Sequence, residues 1–243
     1  MTRFDGKRAL ITGGGRGIGK EIVLLLKNLG AKVLVFDRIQ EDLDALKKQT
    51  GCEVVNVDLM DTEATVKAAR KVLPIDLLVN SAGVVIMEPF LETTVKNFEE
   101  TLGVNVRAML VVSQVVARDL VARKAPGSIV NISSVANTIA FQDHTTYCIS
   151  KGGVDQLTRC MAMELGPHQI RTNAVAPVMT MTAMGRKAWS DPAKSGPMLA
   201  NIPLGRFNET IDVANVVAML LSDEAAMVNG AVVPVDGGFM IKA

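Results

Sequence analysis

Residues 8–19, RALITGGGRGIG, join a short apolar run to the start of a helical pattern through a turn rich in glycine. Gly13, Gly17 and Gly19 lack a Cβ atom, so the backbone can approach a bound group and the helix can pack on the strand. The N–H groups and positive dipole end of that helix, around Ile18, attract a phosphate. Such turns also occur without nucleotides, and the G-x-x-x-G-x-G spacing differs from the commoner G-x-G-x-x-G. The segment predicts a strand–turn–helix unit that binds a pyrophosphate.

Strand-like and helix-like segments alternate along the rest of the chain. Short β-branched runs predict strands at Arg8–Thr12, Lys32–Asp37, Glu53–Asp58, Asp76–Asn80, Ser128–Ser133, Arg171–Ala176 and Ala231–Val235. Helical periodicity predicts helices at Ile18–Leu29, Glu41–Lys48, Thr62–Val72, Val95–Arg123, Tyr147–Leu165 and Thr210–Leu221. Continuous apolar strands that alternate with helices are typical of a parallel sheet buried on both faces. We expect a Rossmann-type, doubly wound α/β fold: a seven-stranded parallel sheet with helices on both faces.

Length and charge limit the classes of protein and partner. The 243 residues fit one α/β domain, 1–243, because no repeat or low-complexity linker divides them. The net charge of +1 favours neither nucleic acid nor an anionic membrane as a partner. Met1–Lys7 contain no apolar signal-peptide core, so we expect a soluble, cytoplasmic protein. Cys52, Cys148 and Cys160 lack metal-ligand spacing, and we expect reduced, structural thiols and no metal site.

Asp37 ends the second predicted strand, at the edge of the sheet where ligands of open parallel sheets bind. An acidic side chain there accepts hydrogen bonds from the adenosine ribose hydroxyls and repels a 2′-phosphate, which predicts NAD(H) as the cofactor. Arg16 in the turn and Arg38 beside Asp37 can both approach a 2′-phosphate, so NADP(H) is an alternative. A helix cap before Glu41–Lys48 is a second alternative for Asp37.

The next two strand ends also carry polar or small residues. Asp58 ends the third predicted strand, where its carboxylate can accept a hydrogen bond from an adenine amino group. The segment Asn80-Ser81-Ala82-Gly83 ends the fourth, where small residues let the chain pass close to a cofactor. Ordinary turn chemistry would explain either segment alone. The expected cofactor contacts here are Asp58, Leu59, Asn80, Ala82 and Gly83.

Tyr147 and Lys151 are four positions apart in a predicted helix and therefore share one of its faces. A phenol with an ordinary pKa of about 10 is a poor acid or base at neutral pH, and a neighbouring ammonium lowers that pKa. Ser134, at the end of the fifth predicted strand, can hydrogen-bond a substrate oxygen beside the phenol. In isolation, Y-x-x-x-K more often marks a solvated helix face. With the glycine turn, these residues predict a nicotinamide-dependent oxidoreductase.

The chain resembles the short-chain dehydrogenase/reductase family over essentially its whole length. The resemblance rests on TGGGRGIG at residues 12–19, NSAG at 80–83, Asn105 within VNV, Ser134, Tyr147 and Lys151. The segments VARDLVARKAPGSIVNISS, MAMELGPHQIRTNAVAP and WSDPAKSGPMLANIPLGRF are similar to its L-xylulose (dicarbonyl) reductase and tetrameric carbonyl reductase branch.

The resemblance implies a role for each matching residue. Ser134 and Tyr147 would polarise and protonate a carbonyl, Lys151 would tune Tyr147, and Asn105 would hold a water of a proton relay. Lys151 can also hold the nicotinamide ribose. The remaining expected cofactor contacts are Pro177, Thr180 and Thr182.

The chain departs from that branch near the cofactor and the substrate. Members of the branch typically use NADP(H) and carry a neutral residue where this chain has Asp37. Val135 stands where the branch can carry a glutamine, Phe141 replaces a smaller aliphatic residue, and Val178 replaces a glycine common in the wider family. Sugar specificity is not inherited, because losing a hydrogen-bonding group from a polyol site changes discrimination by ~10⁴-fold.

Two further residues are expected near the substrate. The resemblance places His144 against the substrate, although such a histidine is as often structural. Trp189, the only tryptophan, would ordinarily be a core residue, but it lies in a methionine-rich connection. We expect the segment at about 178–208 to form an adaptable lid. The expected substrate contacts are Ser134, Val135, Phe141, His144, Tyr147 and Trp189.

Together these features predict hydride transfer between a nicotinamide and a small carbonyl or secondary alcohol, with L-xylulose/xylitol or an α-dicarbonyl such as diacetyl as substrate. The alternatives are a carbonyl reductase for larger apolar ketones and a catalytically silent nucleotide-binding or interaction protein on the same fold.

Arg107–Arg123 is apolar on more than one face, which a helix covering one sheet face does not require. We therefore expect a homo-oligomer, by resemblance a tetramer.

Overall fold

The structure is a computed structural model that describes residues 3–242, so Met1, Thr2 and Ala243 of the expected domain lie outside the described residues. Within them the strands are Arg8–Thr12 (β1), Lys32–Asp37 (β2), Glu53–Asn56 (β3), Leu77–Asn80 (β4), Gly127–Ile132 (β5), Ile170–Pro177 (β6) and Val232–Val235 (β7). The α-helices are Gly17–Asn28 (α1), Gln40–Thr50 (α2), Thr62–Lys71 (α3), Val95–Leu102 (α4), Ala108–Arg123 (α5), Thr145–Leu165 (α6), Ala183–Ala188 (α7), Pro192–Ala200 (α8), Thr210–Leu221 (α9) and Phe239–Lys242 (α10).

All neighbouring strands pair in parallel, in the order β3-β2-β1-β4-β5-β6-β7. This confirms the predicted doubly wound, seven-stranded sheet. The strand order reverses between β1 and β4, where Thr12 pairs with Asn80, and Asn80 pairs with Asn131 of β5. The carboxyl ends of the central strands therefore meet at one edge, which is where open α/β sheets bind ligands.

The strands alternate their side chains between two apolar cores. Ile11 and Val79 pack on one face with residues of α1 and α9. Leu10 and Leu78 pack on the other face with residues of α3, α5 and α6. All four strand residues are fully buried, because successive Cβ atoms point to opposite faces and helices cover both. The sheet edge that carries the candidate site is thus held from both sides.

Some element boundaries differ from the predictions. β3 ends at Asn56 instead of Asp58, because the Asp58 carboxylate turns back to accept a hydrogen bond from the Met60 amide at 2.9 Å. The predicted helix Val95–Arg123 is divided into α4 and α5 by a π-helical turn at Gly103–Arg107. The sequence pattern did not predict this turn, because a π-helical turn is a single-turn feature inside a longer helix.

Helices α7 and α8 were not predicted and lie within the segment 178–208. Side chains cap both: the Thr182 hydroxyl accepts a hydrogen bond from the Gly185 amide, and the Asp191 carboxylate accepts one from the Ala193 amide. Pro192 occupies the first turn of α8, a position that suits its missing N–H. Each helix is too short for its apolar period to stand out.

Helix α5 does not need a second chain to cover its apolar residues. It packs against β4 and β5 on one side and against α3 on another. Val112, Val115 and Val116 are buried in this way, whereas Leu110 is exposed. The apolar pattern of α5 is explained within one chain, and the expected tetramer rests on the resemblance. Among residues 3–242, no helix is long and apolar enough to span a membrane.

Candidate active site

The glycine turn forms a cradle with no room for side chains. Gly13 has a φ of +66°, and a Cβ atom there would lie 2.6 Å from the Ala82 Cα. A Cβ on Gly19 would meet the Gly13 carbonyl, and Gly17, with a φ of +59°, faces Thr182. In the described part of the chain, α1 begins without a side-chain cap and without an acidic residue in its first turn. These features fit the pyrophosphate of a dinucleotide, which needs free N–H groups and close backbone approach.

Asp37 connects the end of β2 to this turn. One carboxylate oxygen accepts a hydrogen bond from the Gly15 amide at 3.0 Å, and the other accepts from the Arg38 and Ile39 amides at 2.7 and 3.2 Å. Ile39, not Asp37, is the N-cap residue of α2, so the helix-cap alternative does not describe this carboxylate. Arg16 and Arg38 are exposed, and each can turn toward or away from a ligand.

The ends of β3 and β4 present only some of the predicted side chains. Asp58 is exposed, whereas Leu59 is buried in the core beneath α3. Asn80 is 1% exposed, and its Nδ2 donates to Ser113 Oγ and Asn131 Oδ1, each at 2.9 Å. The Asn80 side chain therefore lies inside the protein, and a cofactor contact stays a prediction for its backbone alone.

Ala82 and Gly83 follow β4 and lie between the cradle and the side chain of Lys151 on α6. The Ala82 amide donates to Thr12 Oγ1 at 3.3 Å. A Cβ atom on Gly83 would lie 3.4 Å from Asn105 Oδ1 and 3.8 Å from Lys151 Nζ. A larger residue at position 83 would fill the space between the cradle and these side chains.

Three of the predicted catalytic side chains converge beside the cradle. Tyr147 and Lys151 share one face of α6, and Lys151 Nζ lies 5.4 Å from the centroid of the Tyr147 ring. Lys151 Nζ donates to the Ile132 carbonyl at 2.8 Å, at the end of β5. Ser134 begins a 3₁₀ turn after β5, and its Oγ accepts from the Ala136 amide at 3.1 Å. A phenol, an ammonium and a hydroxyl are thus brought together.

Burial shifts the pKa values of the two titratable groups in opposite directions. It raises the pKa of the Tyr147 phenol, and a hydrogen bond with Ser134 acts against this rise. It lowers the pKa of Lys151 to about 8, while the nearby Asp155 carboxylate acts to raise it. At neutral pH the phenol keeps its proton and Lys151 is mainly charged. The site therefore holds a neutral acid beside a cation.

Asn105 lies in the π-helical turn and is fully buried. Its Oδ1 accepts from the Val84 amide at 2.8 Å, and its Nδ2 donates to the Val84 carbonyl at 2.9 Å and to Ser150 Oγ at 3.0 Å. Ser150 Oγ in turn donates to the Tyr147 carbonyl at 2.7 Å. Protein groups therefore engage both ends of the Asn105 amide, and its contact with a water of a proton relay stays a prediction.

The chain after β6 returns to the cradle. Pro177 pairs with Val235 of β7, and the Thr180 hydroxyl donates to the Val178 carbonyl at 2.9 Å. The methyl group of Thr182 lies 3.2 Å from the place a Cβ on Gly17 would take. Thr182 is therefore beside the glycine turn, whereas the Thr180 side chain forms a hydrogen bond within its own loop.

A row of rings extends from the phenol to the C-terminal helix. Centroid separations are 6.3 Å for His144 and Tyr147, 6.1 Å for Phe141 and His144, and 6.5 Å for Phe141 and Phe239. The last two rings are nearly parallel, at 11°. His144 Nδ1 donates a hydrogen bond to the Gln142 carbonyl, which in the neutral imidazole leaves Nε2 as an acceptor. His144 thus lies beside the phenol, and Phe141 and the unpredicted Phe239 follow it in the row.

The predicted substrate residues Val135, Phe141 and Trp189 meet in one apolar cluster. The Trp189 and Phe207 rings are 5.5 Å apart in it. This apolar cluster consists of Val135, Ile139, Phe141, Val178, Met179, Met181, Trp189, Met198, Leu199, Ile202, Phe207, Phe239 and Met240. Segment 178–208 supplies much of it, so that segment packs on the loop after Ser134.

Comparison with known proteins identifies the family. A family described as Enoyl-(Acyl carrier protein) reductase matches residues 13–240. The L-xylulose reductase of Bos taurus is 52% identical over 239 residues, 98% of each chain, and the D-erythrulose reductase of Gallus gallus is 47% identical over 240 residues, 98% of each chain. The chain belongs to the short-chain dehydrogenase/reductase family.

A solved structure agrees with this assignment. A gluconate 5-dehydrogenase from Burkholderia cenocepacia J2315, in complex with NADP and tartrate, has a TM-score of 0.93 at 30% identity and covers 99% of this chain and 98% of its own. As a short-chain dehydrogenase/reductase, the protein is an oxidoreductase with an NAD(P)-binding fold.

Three residues of this short-chain dehydrogenase/reductase site were not predicted. Ser150 links Asn105 to α6, Asp155 lies one turn beyond Lys151, and Phe239 stacks on Phe141. Asp155 carries a sequence signal, because it continues the four-residue spacing of Tyr147 and Lys151. Phe239 carries none, since its partner is distant in the chain.

Proposed function

We propose that the protein is an NAD(P)(H)-dependent carbonyl reductase that acts on a small carbonyl or the matching secondary alcohol. The observation that carries this proposal is the convergence of Tyr147, Lys151 and Ser134 beside the glycine cradle. The relatives named L-xylulose reductase and D-erythrulose reductase support it. A silent interaction protein would have no use for a buried ammonium beside a phenol, because burying a charge is unfavourable.

When bound, the nicotinamide supplies or accepts the hydride. Gly13, Gly17 and the N terminus of α1 would hold the pyrophosphate, and Lys151 the ribose hydroxyls. The Tyr147 hydroxyl donates its proton to the carbonyl oxygen as negative charge develops there, and Ser134 donates a second hydrogen bond to the same oxygen. The Lys151 ammonium stabilises the phenolate that remains, and the hydrogen bond with Ser134 acts against the rise in phenol pKa that burial causes.

Between the two expected substrate classes, the apolar cluster favours an α-dicarbonyl such as diacetyl over a ketose such as L-xylulose. A ketose buries several hydroxyls, each of which needs a partner. Val135, Phe141 and the methionines of the cluster offer none, and His144 Nε2 is one acceptor. The same lining favours larger apolar ketones as the second candidate. We further propose that residues 178–208 form a lid within the single domain, since this segment closes the cluster through Trp189 and Met198.

Cofactor choice and assembly are proposed on separate grounds. The fixed carboxylate of Asp37 supports NAD(H) as the preferred cofactor, and the NADP-bound relative supports NADP(H) through Arg16 and Arg38. A homotetramer is supported by exposed apolar residues before and within α4, among them Phe90 at 73% and Leu91 at 94%. The cytoplasmic location stays a prediction.

The test is steady-state reduction of diacetyl, L-xylulose and an aromatic ketone with NADH and with NADPH. Tyr147→Phe keeps the ring but removes the acidic proton, so we expect kcat to fall by about 10²–10⁴ with cofactor binding retained. Ile149→Ala, an exposed residue of the same helix turn, is the control and should leave kcat unchanged. If Tyr147→Phe keeps more than about a tenth of the wild-type activity, the proposal is wrong, because the loss would be smaller than the contribution of one general acid.

A further inference from the structure

Asp155 is a buried carboxylate of α6 to which the proposed chemistry assigns no step, although its charge acts to raise the pKa of Lys151. It is 6% exposed and stands one turn after Lys151, on the face that carries Tyr147. Acidic side chains are almost never buried unless they are paired. The partners of this carboxylate therefore need an explanation.

Both carboxylate oxygens bind the loop that carries Ser134. Ser133 Oγ donates to Asp155 Oδ1, and Asn137 Nδ2 donates to Asp155 Oδ2, each at 2.6 Å. Ser133 is itself buried, and its amide continues the pairing of β5 with β6 by donating to the Val175 carbonyl. The carboxylate thus spans the loop from the residue before Ser134 to the third residue after it.

Local hydrogen bonds give this loop its shape. The Asn137 amide donates to the Ser134 carbonyl at 2.9 Å, and Ser134 Oγ accepts from the Ala136 amide at 3.1 Å. Bonds within the loop cannot set its distance from α6, because both partners move with the loop. The two Asp155 bonds do cross to α6, and they are short, charge-assisted bonds of the stronger kind.

We propose that Asp155 is a positioning residue, which holds the Ser134 hydroxyl in place against the Tyr147 phenol by binding both ends of loop 133–137. This inference rests on the proposed function. Asp155 acts through Ser134, and both the phenol and the carboxylate belong to one rigid helix. A misplacement of about 1 Å can slow an aligned reaction by about 100-fold.

Two substitutions separate the hydrogen bonds from the bulk of the side chain. Asp155→Ala removes both bonds, and we expect kcat to fall by about 10- to 100-fold while KM for the cofactor is unchanged. Asp155→Asn can keep both once the Asn137 side-chain amide turns over: its carbonyl accepts from Ser133, and its amide donates to Asn137 Oδ1, which has no hydrogen-bond partner among the described residues. We expect Asp155→Asn to retain most of the kcat that Asp155→Ala loses. Equal losses in the two variants would overturn the proposal.

A double-mutant cycle with Ser134→Ala tests whether Asp155 acts through Ser134. We expect Ser134→Ala/Asp155→Ala to be no slower than Ser134→Ala alone, because there is no hydroxyl left to position. Losses that multiply would contradict the inference. If Asp155→Ala does not fold, Asn137→Ala takes its place in the cycle, since it removes one of the two bonds from the loop side.

The control is a carboxylate at the opposite edge of the sheet. Asp76 accepts a hydrogen bond from the Arg8 amide at 2.9 Å and pairs with Arg123 at 3.6 Å. Asp76→Ala should lower Tm but leave kcat unchanged. Failure of the two proposals is distinguishable: an active Tyr147→Phe contradicts the proposed function, whereas an inactive Tyr147→Phe with a fully active Asp155→Ala contradicts only the role of Asp155.

Discussion

The glycine turn and the segment 178–208 meet where Thr182 lies against Gly17, yet different kinds of interaction hold them in place. The turn is held through its own backbone amides: the Gly13 amide donates to the Phe36 carbonyl at 2.7 Å, and the Gly15 amide donates to the Asp37 carboxylate at 3.0 Å. The segment is held by side chains, through two short capped helices and the apolar cluster.

This difference matches what each region would bind. A pyrophosphate is the same in every cofactor, and backbone groups with fixed geometry recognise it without side chains. The substrate differs among relatives, and methionines and aromatic rings can repack around substrates of different shape. A substitution in the turn should therefore weaken cofactor binding by a large factor, whereas one in the segment should change substrate binding by a small factor.

The largest effect is expected at Gly13. Gly13→Ala places a Cβ atom 2.6 Å from the Ala82 Cα, and both are backbone positions that cannot easily move. Overpacking of this kind costs about 1–3 kcal/mol, so we expect Kd for NADH to rise by up to about 100-fold in a fluorescence titration. Gly51→Ala is the matched control, because Gly51 has the same φ of +66° but nothing within 4 Å of its Cβ position. Equal Kd values in the two variants would contradict the cradle.

A smaller effect is expected at Asp37, whose carboxylate accepts a hydrogen bond from the Gly15 amide of the turn. Asp37→Ser should move the kcat/KM ratio toward NADPH by about ten- to a hundredfold, because it removes repulsion of a 2′-phosphate and leaves Arg16 and Arg38 free to bind it. Asp44→Ser, an exposed carboxylate of α2, should leave the ratio unchanged. A wild type that already prefers NADPH, or an equal loss with both cofactors, would mean that Asp37 serves only to hold the turn.

What the sequence could predict follows the same division. The strand–turn–helix of residues 8–28 depends on neighbours in the chain, so glycine spacing and an apolar run suffice. Tyr147 and Lys151 were predicted together because helical spacing places them on one face. Thr182 and Asp191 are residue types that favour the start of a helix, but the helices that follow them are too short to show an apolar period.

The remainder depends on contacts between distant parts of the chain. The π-helical turn forms where Asn105 reaches both Val84 and Ser150. The inward orientation of Asn80 depends on Ser113 of α5, and the stacking of Phe141 needs the C-terminal helix. Periodicity and composition report on one segment at a time, so they do not detect these pairings.

The smallest effect is expected in the segment, where it tests whether 178–208 opens separately from the sheet. Asp191→Ala removes the N-cap of α8, which accepts from the Ala193 amide at 2.9 Å, and such a loss costs about 1 kcal/mol. If the segment is a lid, this energy acts on its closure alone, so KM for diacetyl should rise by about fivefold while Tm is unchanged. Asp61→Ala removes an equivalent cap from α3, also at 2.9 Å, and should lower Tm by about 2–4 °C with KM unchanged. Equal falls in Tm for both variants, with no change in KM, would show that the segment unfolds with the sheet and is not a lid.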